Sequence, residues 1–182
     1  MTLRATLLLF LFTVLTGCVT TGDVNPMRTD KGRDAARDAY IQLGIGYLQQ
    51  GNTGRAKSPL KKALELDSSN ADAHAALALV FQLEMESELA DEHFRKALSA
   101  RGDDTRILNN YGGFFYEQKR YPEAKARFEQ ASKDNLYQER ARVFENLGMT
   151  ALMMNERAEA KAYFERALRL DVRQARALLE MA

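Results

Sequence analysis

Apolar and polar residues alternate along most of the chain with the period of an amphipathic helix, and short turns interrupt the pattern at regular intervals. The segment 109–131 shows this best, because two helical patterns meet there at one turn. Pro122 stands just inside the second helix, where a proline is tolerated. The apolar faces are formed by Leu108, Tyr111, Gly112 and Phe115 in the first helix and by Ala124, Phe128 and Ala131 in the second. One such pair cannot bury its own apolar face, so the pattern predicts neighbouring pairs of the same kind.

The same pattern recurs at four places along the chain, separated by 34, 34 and 36 residues. Small residues stand where the two helices of each pair would cross, and a bulky residue follows the second small one by four positions, on the same helical face. These positions are held by Gly44, Ala78, Gly112 and Gly148, by Ala56, Ala90, Ala124 and Ala160, by the bulky Leu60, Phe94, Phe128 and Phe164, and by a last set, Ala63, Ala97, Ala131 and Ala167. The arrangement resembles the tetratricopeptide repeat. The resemblance implies an all-α solenoid, a right-handed superhelix of antiparallel helix pairs, with repeats at about 37–70, 71–104, 105–138 and 141–174.

Three features depart from a regular repeat. Two extra residues fall within 135–140 and should lengthen the turn between the third and fourth repeats. Pro59 lies inside a predicted helix, where it removes a hydrogen-bond donor, and we expect it on the solvent side of a terminal repeat. Residues 175–182 begin a further helix in the same register, without the polar cap that the end of a solenoid needs. We expect that the natural protein continues past Ala182, and the alternative is a short capping helix.

The first 17 residues have the layout of a bacterial signal peptide. Arg4 supplies the positive end, and the apolar run 5–15 is too short to read as a membrane span. The run ends in Leu15-Thr16-Gly17-Cys18, which resembles the bacterial lipobox. The resemblance implies cleavage before Cys18 and a covalent lipid on its thiol, and several acyl chains would anchor the protein stably. The alternative is an ordinary signal peptide with a chance cysteine.

The residues after the cysteine indicate where the lipid would hold the protein. Val19 stands where an aspartate often means retention in the inner membrane of Gram-negative bacteria, so the resemblance favours the outer membrane. Residues 18–36 are predicted to form the lipidated N-terminus and a flexible polar tether. The repeat domain is predicted to occupy 37–182.

Composition narrows the possible chemistry. The 182 residues carry 26 basic and 25 acidic side chains, and this balance gives no electrostatic case for nucleic acid. A single cysteine allows no intrachain disulfide, and two histidines 19 residues apart do not make a structural zinc site. The glycines at 44, 46, 112 and 113 fall in predicted helices and not after strands, so they do not form a nucleotide-binding loop. We therefore predict no enzyme activity, no metal, and no cofactor apart from the lipid.

Repeats of this type bind a partner segment along their concave surface, which the first helix of each repeat lines. By resemblance, six positions of each such helix face that groove. The first two repeats place an apolar strip there, which we predict to be a partner-docking patch: Ile41, Ile45, Leu48, Leu79 and Leu83. The alternative for the two isoleucines is that the N-terminal segment or neighbouring side chains cover them. The later repeats place polar and aromatic groups there, and we predict partner contacts at Asn110, Tyr116 and Asn146. The alternative for the two asparagines is a solvated polar surface. An asparagine can bind a peptide amide through its donor and acceptor together, and Arg106 and Arg142 could each take an acidic side chain.

The lipobox, the short tether and the repeats together resemble the pilotin lipoproteins of type IV pilus systems, the PilF/PilW family. The segments that carry this resemblance are 43–52, LGIGYLQQGN, and 108–114, LNNYGGF. The resemblance implies a periplasm-facing outer-membrane lipoprotein that binds secretin subunits in its groove and promotes their localisation and multimerisation for pilus assembly. The alternative is another tetratricopeptide outer-membrane lipoprotein that serves barrel assembly or acts as an adaptor for peptidoglycan enzymes.

Overall fold

The computed structural model describes residues 29–181. The predicted signal peptide, Cys18 and most of the predicted tether lie outside these residues. The chain divides into two units, 1–33 and 34–182. No helix of the described part is long and apolar enough to cross a membrane.

The described residues form helices and turns and contain no strand. In order they are α1 (Asp30–Gln49), α2 (Thr53–Leu66), α3 (Ala71–Leu83), α4 (Ser87–Ala100), α5 (Thr105–Glu117), α6 (Tyr121–Ser132), α7 (Arg140–Met153), α8 (Arg157–Leu170) and α9 (Ala175–Met181). Helices α1 to α8 form four consecutive pairs, each inside or overlapping one predicted repeat, and α9 follows the last pair. The predicted all-α tetratricopeptide-repeat fold is confirmed.

Side chains at the turns explain where several helices begin. The N-cap residues Asn52, Asn70 and Asp104 accept hydrogen bonds from backbone N–H groups three residues later, at 3.1, 3.1 and 3.0 Å. Each bond satisfies an amide that the first helical turn leaves without an intrahelical partner. These caps fix the start of α2, α3 and α5, and therefore the angle at which each helix leaves its turn.

The turn inside each repeat has one residue with positive φ at the same register position. These residues are Gly51, Met85, Lys119 and Asn155, with φ of 72°, 61°, 59° and 62°. The left-handed conformation reverses the chain between the two helices of a pair, as at many helix C-termini. It suits glycine and asparagine, and it strains methionine and lysine.

The small residues allow the two helices of a repeat to approach closely, as the sequence predicted. A Cβ atom added at Gly112 would lie 2.6 Å from Cε1 of Phe128, and one at Gly148 would lie 2.5 Å from Cε1 of Phe164. A Cβ at Gly44 would lie 2.5 Å from Cγ of Leu60. Real Cβ contacts of this length do not occur, so the bulky side chain of the second helix occupies the space that the glycine leaves open.

Two sequence expectations are wrong in detail. Helix α1 begins at Asp30, so residues 30–36, which we assigned to the tether, are helical. Pro59 is buried in α2 together with Ala56, Leu60 and Ala63, and it does not lie on the solvent side. It faces the core because it shares the buried face of α2 with these three residues.

Helix α9 packs onto the last repeat. Ala177 is fully buried, and its backbone N–H donates to Oε1 of Glu145 at 3.1 Å. Leu178 and Leu179 remain 50% and 75% exposed. The helix therefore continues the repeat register onto α7, and one apolar side of it remains uncovered by the described residues.

Candidate partner-binding groove

The predicted apolar strip divides into residues that a partner could reach and one that it could not. Ile41 is only 5% exposed and belongs to a core cluster with Ala63 and Ala73. The second helix of its own repeat and the first helix of the next repeat cover it, so the structure leaves it almost no surface for a partner. The α1 residue Ile45, one turn further on, is half-buried against the same cluster.

The remaining strip residues offer more surface. Leu48 is half-buried against the core of the first two repeats, and Leu79 is half-buried against the larger core that runs from the second repeat to α9, while Leu83 is 60% exposed at the end of α3. A large exposed apolar side chain is unremarkable alone, but several along one helix face make a candidate contact surface. Leu83 is the strip residue whose replacement would disturb the core least.

The asparagines form a link between repeats. Nδ2 of Asn146 donates to Oδ1 of Asn109 at 3.1 Å. Asn109 is 7% exposed, whereas Asn110 and Asn146 are half-buried. The bond uses one donor of Asn146 and leaves its carbonyl oxygen as an acceptor for another group. Asn110 holds the position in the third repeat that Asn146 holds in the fourth. The structure nevertheless pairs Asn146 with Asn109, the residue before Asn110.

The predicted arginines are already engaged within the chain. Arg106 pairs with Asp72, and Arg142 pairs with Glu139 at 3.0 Å. Both arginine side chains are well exposed, at 44% and 58%, so these are solvated pairs worth little. An acidic partner could therefore exchange with either carboxylate at small cost.

A second polar contact spans the groove between the second and third repeats. Nε2 of Gln82 donates to Oε2 of Glu117 at 2.6 Å. Glu117 ends α5, next to Tyr116, whose half-buried ring lies edge-on to Tyr121 with centroids 5.5 Å apart. Burial raises the pKa of the Tyr116 hydroxyl, so it stays protonated and able to donate a hydrogen bond at neutral pH.

The concave side holds a small cavity of about 170 Å³. Half-buried and buried apolar side chains form its walls, and polar groups stand at its edge. It is lined by Gly113, Tyr116, Glu117, Phe128, Asn146, Met149 and Arg176. Two of the predicted partner-binding residues, Tyr116 and Asn146, therefore meet at one cavity. Met149 holds one of the six predicted groove positions of its repeat, whereas Phe128 and Arg176 were not predicted to face the groove.

A wider cleft of about 550 Å³ opens beside the N-terminal ends of α5 and α7. It is lined by Arg106, Asn109, Asn110, Asp134, Leu136, Tyr137, Gln138, Glu139 and Arg142. Leu136 is 91% exposed at the two-residue insertion. Asp134 fixes this loop, since it accepts from Oγ1 of Thr105 at 2.8 Å and from the Leu136 N–H at 2.9 Å. The altered repeat spacing marked the insertion, but nothing in the sequence indicated that its leucine would be exposed.

The described residues contain no cluster of three or more His, Cys, Asp or Glu side chains that could hold a metal ion. The two histidines bind each other, and the second ring nitrogen of His74 bonds to the backbone carbonyl of Ser68. Neither histidine is within hydrogen-bonding distance of a hydroxyl or thiol in residues 29–181. The groove side chains in residues 29–181 include apolar, amide, tyrosine and arginine groups, which are the kinds of groups that contact a polypeptide.

Stacked helix pairs with small residues at each crossing and a side-chain-lined concave face define a tetratricopeptide-repeat protein. Family models described as tetratricopeptide repeat match residues 38–70 and 103–171.

Similar proteins show to which family of tetratricopeptide-repeat proteins the chain belongs. The chain is 64% identical over 182 residues to the type IV pilus assembly protein PilF of Pseudomonas aeruginosa, covering 100% of this chain and 72% of that protein. A solved structure of Pseudomonas aeruginosa PilF matches with a TM-score of 0.81 and 65% identity, over 82% of this chain and 68% of the other. The solved structure of PilW, a type IV pilus biogenesis factor, matches with a TM-score of 0.73 and 28% identity, over 78% of this chain and 64% of the other. The chain belongs to the PilF family of type IV pilus biogenesis proteins.

Proposed function

We propose that this protein is a pilotin: an outer-membrane lipoprotein that binds secretin subunits through its groove and promotes their localisation and multimerisation. The observation that carries the proposal is the match to PilF along the whole chain, together with a concave face that offers apolar and amide groups to a polypeptide. The protein would act by binding alone. Its groove would bind the secretin subunit, and its lipid would bring the bound subunit to the outer membrane.

The apolar strip supplies the first test. Replacing Leu83 with Asp should lower the amount of secretin multimer, because a charge at a buried contact costs far more than one in water. Leu83 is 60% exposed, so the fold should tolerate the change. Leu170, 48% exposed at the end of α8, provides a matched control outside the strip, and Leu170→Asp should leave multimers unchanged.

The double variant Ile45→Asp and Leu48→Asp is a stronger test of the same surface. Both side chains are half-buried against the first-repeat core, so thermal unfolding must first establish that the variant is folded. Normal secretin multimers in cells that contain folded double variant would sink the docking role of the strip.

The lipid supplies an independent test. Cys18→Ser should abolish acyl labelling and release the protein from the outer membrane, with multimers reduced although the groove is intact. Mass spectrometry of the mature N-terminus checks the cleavage and the modification. An unlabelled wild-type protein would refute the anchor and leave the groove proposal standing.

The alternative role in barrel assembly or peptidoglycan enzyme scaffolding rests on the same anchor and repeats. Deleting the gene for this protein distinguishes the pilotin role from the alternative role. Loss of secretin multimers with normal outer-membrane barrels and normal peptidoglycan supports the pilotin role, and the opposite result supports the alternative.

A further inference from the structure

The cavity on the concave side exists because one residue lacks a side chain. Gly113 holds the ninth position of the third repeat, where the other repeats carry Ile45, Leu79 and Met149. A Cβ atom at Gly113 would meet nothing within 4 Å. The third repeat therefore leaves open a space that its neighbours fill with an apolar side chain of their own.

Close packing does not require this glycine. Its neighbour Gly112 contacts the Phe128 ring and cannot carry a Cβ without movement, but Gly113 has room for one. A glycine inside a helix also costs stability relative to most other residues. Gly113 thus opens a cavity at some cost to α5, and no contact within the described residues compensates for that cost.

The walls and the edge of the cavity differ in chemistry. Phe128 is 1% exposed, and Tyr116 and Met149 are half-buried, so the interior presents aromatic and thioether surface. Its volume of about 170 Å³ suffices for one large apolar group, since an apolar cavity of about 150 Å³ accepts a benzene molecule. One leucine, methionine or phenylalanine side chain is the right size.

The edge of the cavity indicates what accompanies that side chain. The side-chain oxygen Oδ1 of Asn146 remains available as an acceptor after Nδ2 bonds to Asn109. This oxygen can accept a hydrogen bond from a peptide N–H. Glu117 already accepts from Gln82. Arg176 is exposed and has no ion-pair partner in residues 29–181, so it is the charge available to an incoming carboxylate.

We infer that the cavity beside Gly113 binds one apolar side chain of an extended partner segment, with Asn146 holding its backbone and Arg176 pairing with an adjacent acidic residue. This inference rests on the proposed secretin-binding role of the groove, and it names the chemistry of the bound segment. The segment carries Leu, Met or Phe next to Asp or Glu. The apolar strip of the first two repeats is a separate contact.

The variant that tests the inference fills the cavity from within. Gly113→Leu places in the third repeat the kind of side chain that its neighbours have, so it should preserve the fold and raise the urea midpoint. Gly54→Leu is the matched control, because a Cβ at Gly54 also meets nothing within 4 Å and this residue lies in α2, outside the cavity. Gly113→Ala, which adds one methyl group, serves if the leucine prevents folding.

Binding is measured with the full chain in vesicles of phosphatidylethanolamine and phosphatidylglycerol. The probes are short fluorescent peptides that together cover the periplasmic sequence of the secretin from the same organism. We expect the peptides that bind to contain an apolar residue next to an acidic one. Gly113→Leu should weaken them about ten-fold, as losing one buried side chain implies, and Gly54→Leu should leave them unchanged. Arg176→Glu should weaken the same peptides and favour versions with Lys at the acidic position.

Several results would overturn the inference. Equal peptide affinity of the wild type and Gly113→Leu excludes the cavity as the site. If Leu83→Asp loses peptide binding and Gly113→Leu keeps it, the peptides bind the apolar strip and not the cavity. If no peptide binds, and dodecanoate binds the wild type but not Gly113→Leu, the cavity binds an acyl chain and not a side chain of a partner.

Co-purification of intact secretin separates this inference from the proposed function. Secretin recovered equally with the wild type and Gly113→Leu refutes the cavity and leaves the pilotin proposal in place. No recovery with the wild type refutes the pilotin proposal itself.

Discussion

His74 and His93 face each other inside the second repeat, with their Nδ1 atoms 2.9 Å apart. The second ring nitrogen of His74 lies 3.1 Å from the Ser68 carbonyl oxygen, and a carbonyl can only accept. Nε2 of His74 therefore carries its proton, Nδ1 of His74 accepts, and Nδ1 of His93 donates. The pair joins α3 to α4 through neutral imidazoles.

This pair should make the protein less stable in mild acid. Burial lowers the pKa of His74, and burial together with the nearby His74 lowers the pKa of His93 to about 4. In the unfolded chain a histidine has a pKa of about 6.5. Between about pH 4 and pH 6.5 the unfolded chain therefore binds more protons than the folded protein. The free energy of unfolding should therefore fall by about 1–2 kcal/mol, allowing for solvent screening, as pH drops from neutrality towards pH 4. Urea unfolding across this pH range measures it.

The fourth repeat provides the control for that experiment. Its equivalent positions hold Phe144 and Tyr163, with ring centroids 6.5 Å apart. The double variant His74→Phe and His93→Tyr copies this arrangement into the second repeat. It should remove most of the slope with pH, and an unchanged slope would assign the acid sensitivity to other groups.

Met85 should be a site where glycine stabilises the protein. Its φ of 61° lies in the left-handed region, and its side chain is 89% exposed. Removing the side chain relieves strain and loses no packing, although glycine gives the unfolded chain more freedom. We expect Met85→Gly to add about 0.5–1 kcal/mol to the free energy of unfolding, measured in urea with an unchanged m-value. Lys119→Gly should behave alike, whereas Asn155→Gly should gain less because asparagine tolerates this conformation.

Adjacent glycines should respond in opposite directions to alanine. Gly112→Ala pushes a Cβ into the Phe128 ring and should cost about 1–3 kcal/mol. Ala78 holds the same position in the second repeat and is buried there, so the cost is that of repacking and not of unfolding. Gly113→Ala has open space and should gain about 0.5–1 kcal/mol from helix propensity. Equal effects at the two positions would contradict the packing described for α5 and α6.

Lys125 should stabilise the contact between the third and fourth repeats. Its Nζ lies 2.6 Å from Oε2 of both Glu156 and Glu159, and its side chain is only 16% exposed. Burial opposes the charge, but the bonds to the two glutamates outweigh it and raise the pKa of Lys125. Lys125→Met leaves the two carboxylates facing each other, and should lower the free energy of unfolding by about 1–3 kcal/mol. Lys161→Met, on the exposed side of α8, is the control.

Much of the fold followed from local patterns. Gly112 and Phe128 predicted a close crossing because a missing Cβ and a bulky ring at fixed spacing complement one another whatever surrounds them. The N-cap residues Asn70 and Asp104 likewise act within one helical turn. Contacts between repeats did not follow, since the sequence gives no direct sign of which side chains of two neighbouring repeats meet. Asn146 donates a hydrogen bond to Asn109 of the preceding repeat, and this contact depends on the angle between α5 and α7.

The sequence by itself determined the period, the helix pairs and the positions at which small residues allow two helices to meet, because those depend on residues near one another along the chain. The lipidation of Cys18 also remains a prediction from sequence alone. Only the tertiary structure decided that Ile41 is buried, that Pro59 faces the core and that the space beside Gly113 is open. Exposure is set by what the neighbouring repeat places against a side chain, and that neighbour lies about one repeat away along the chain.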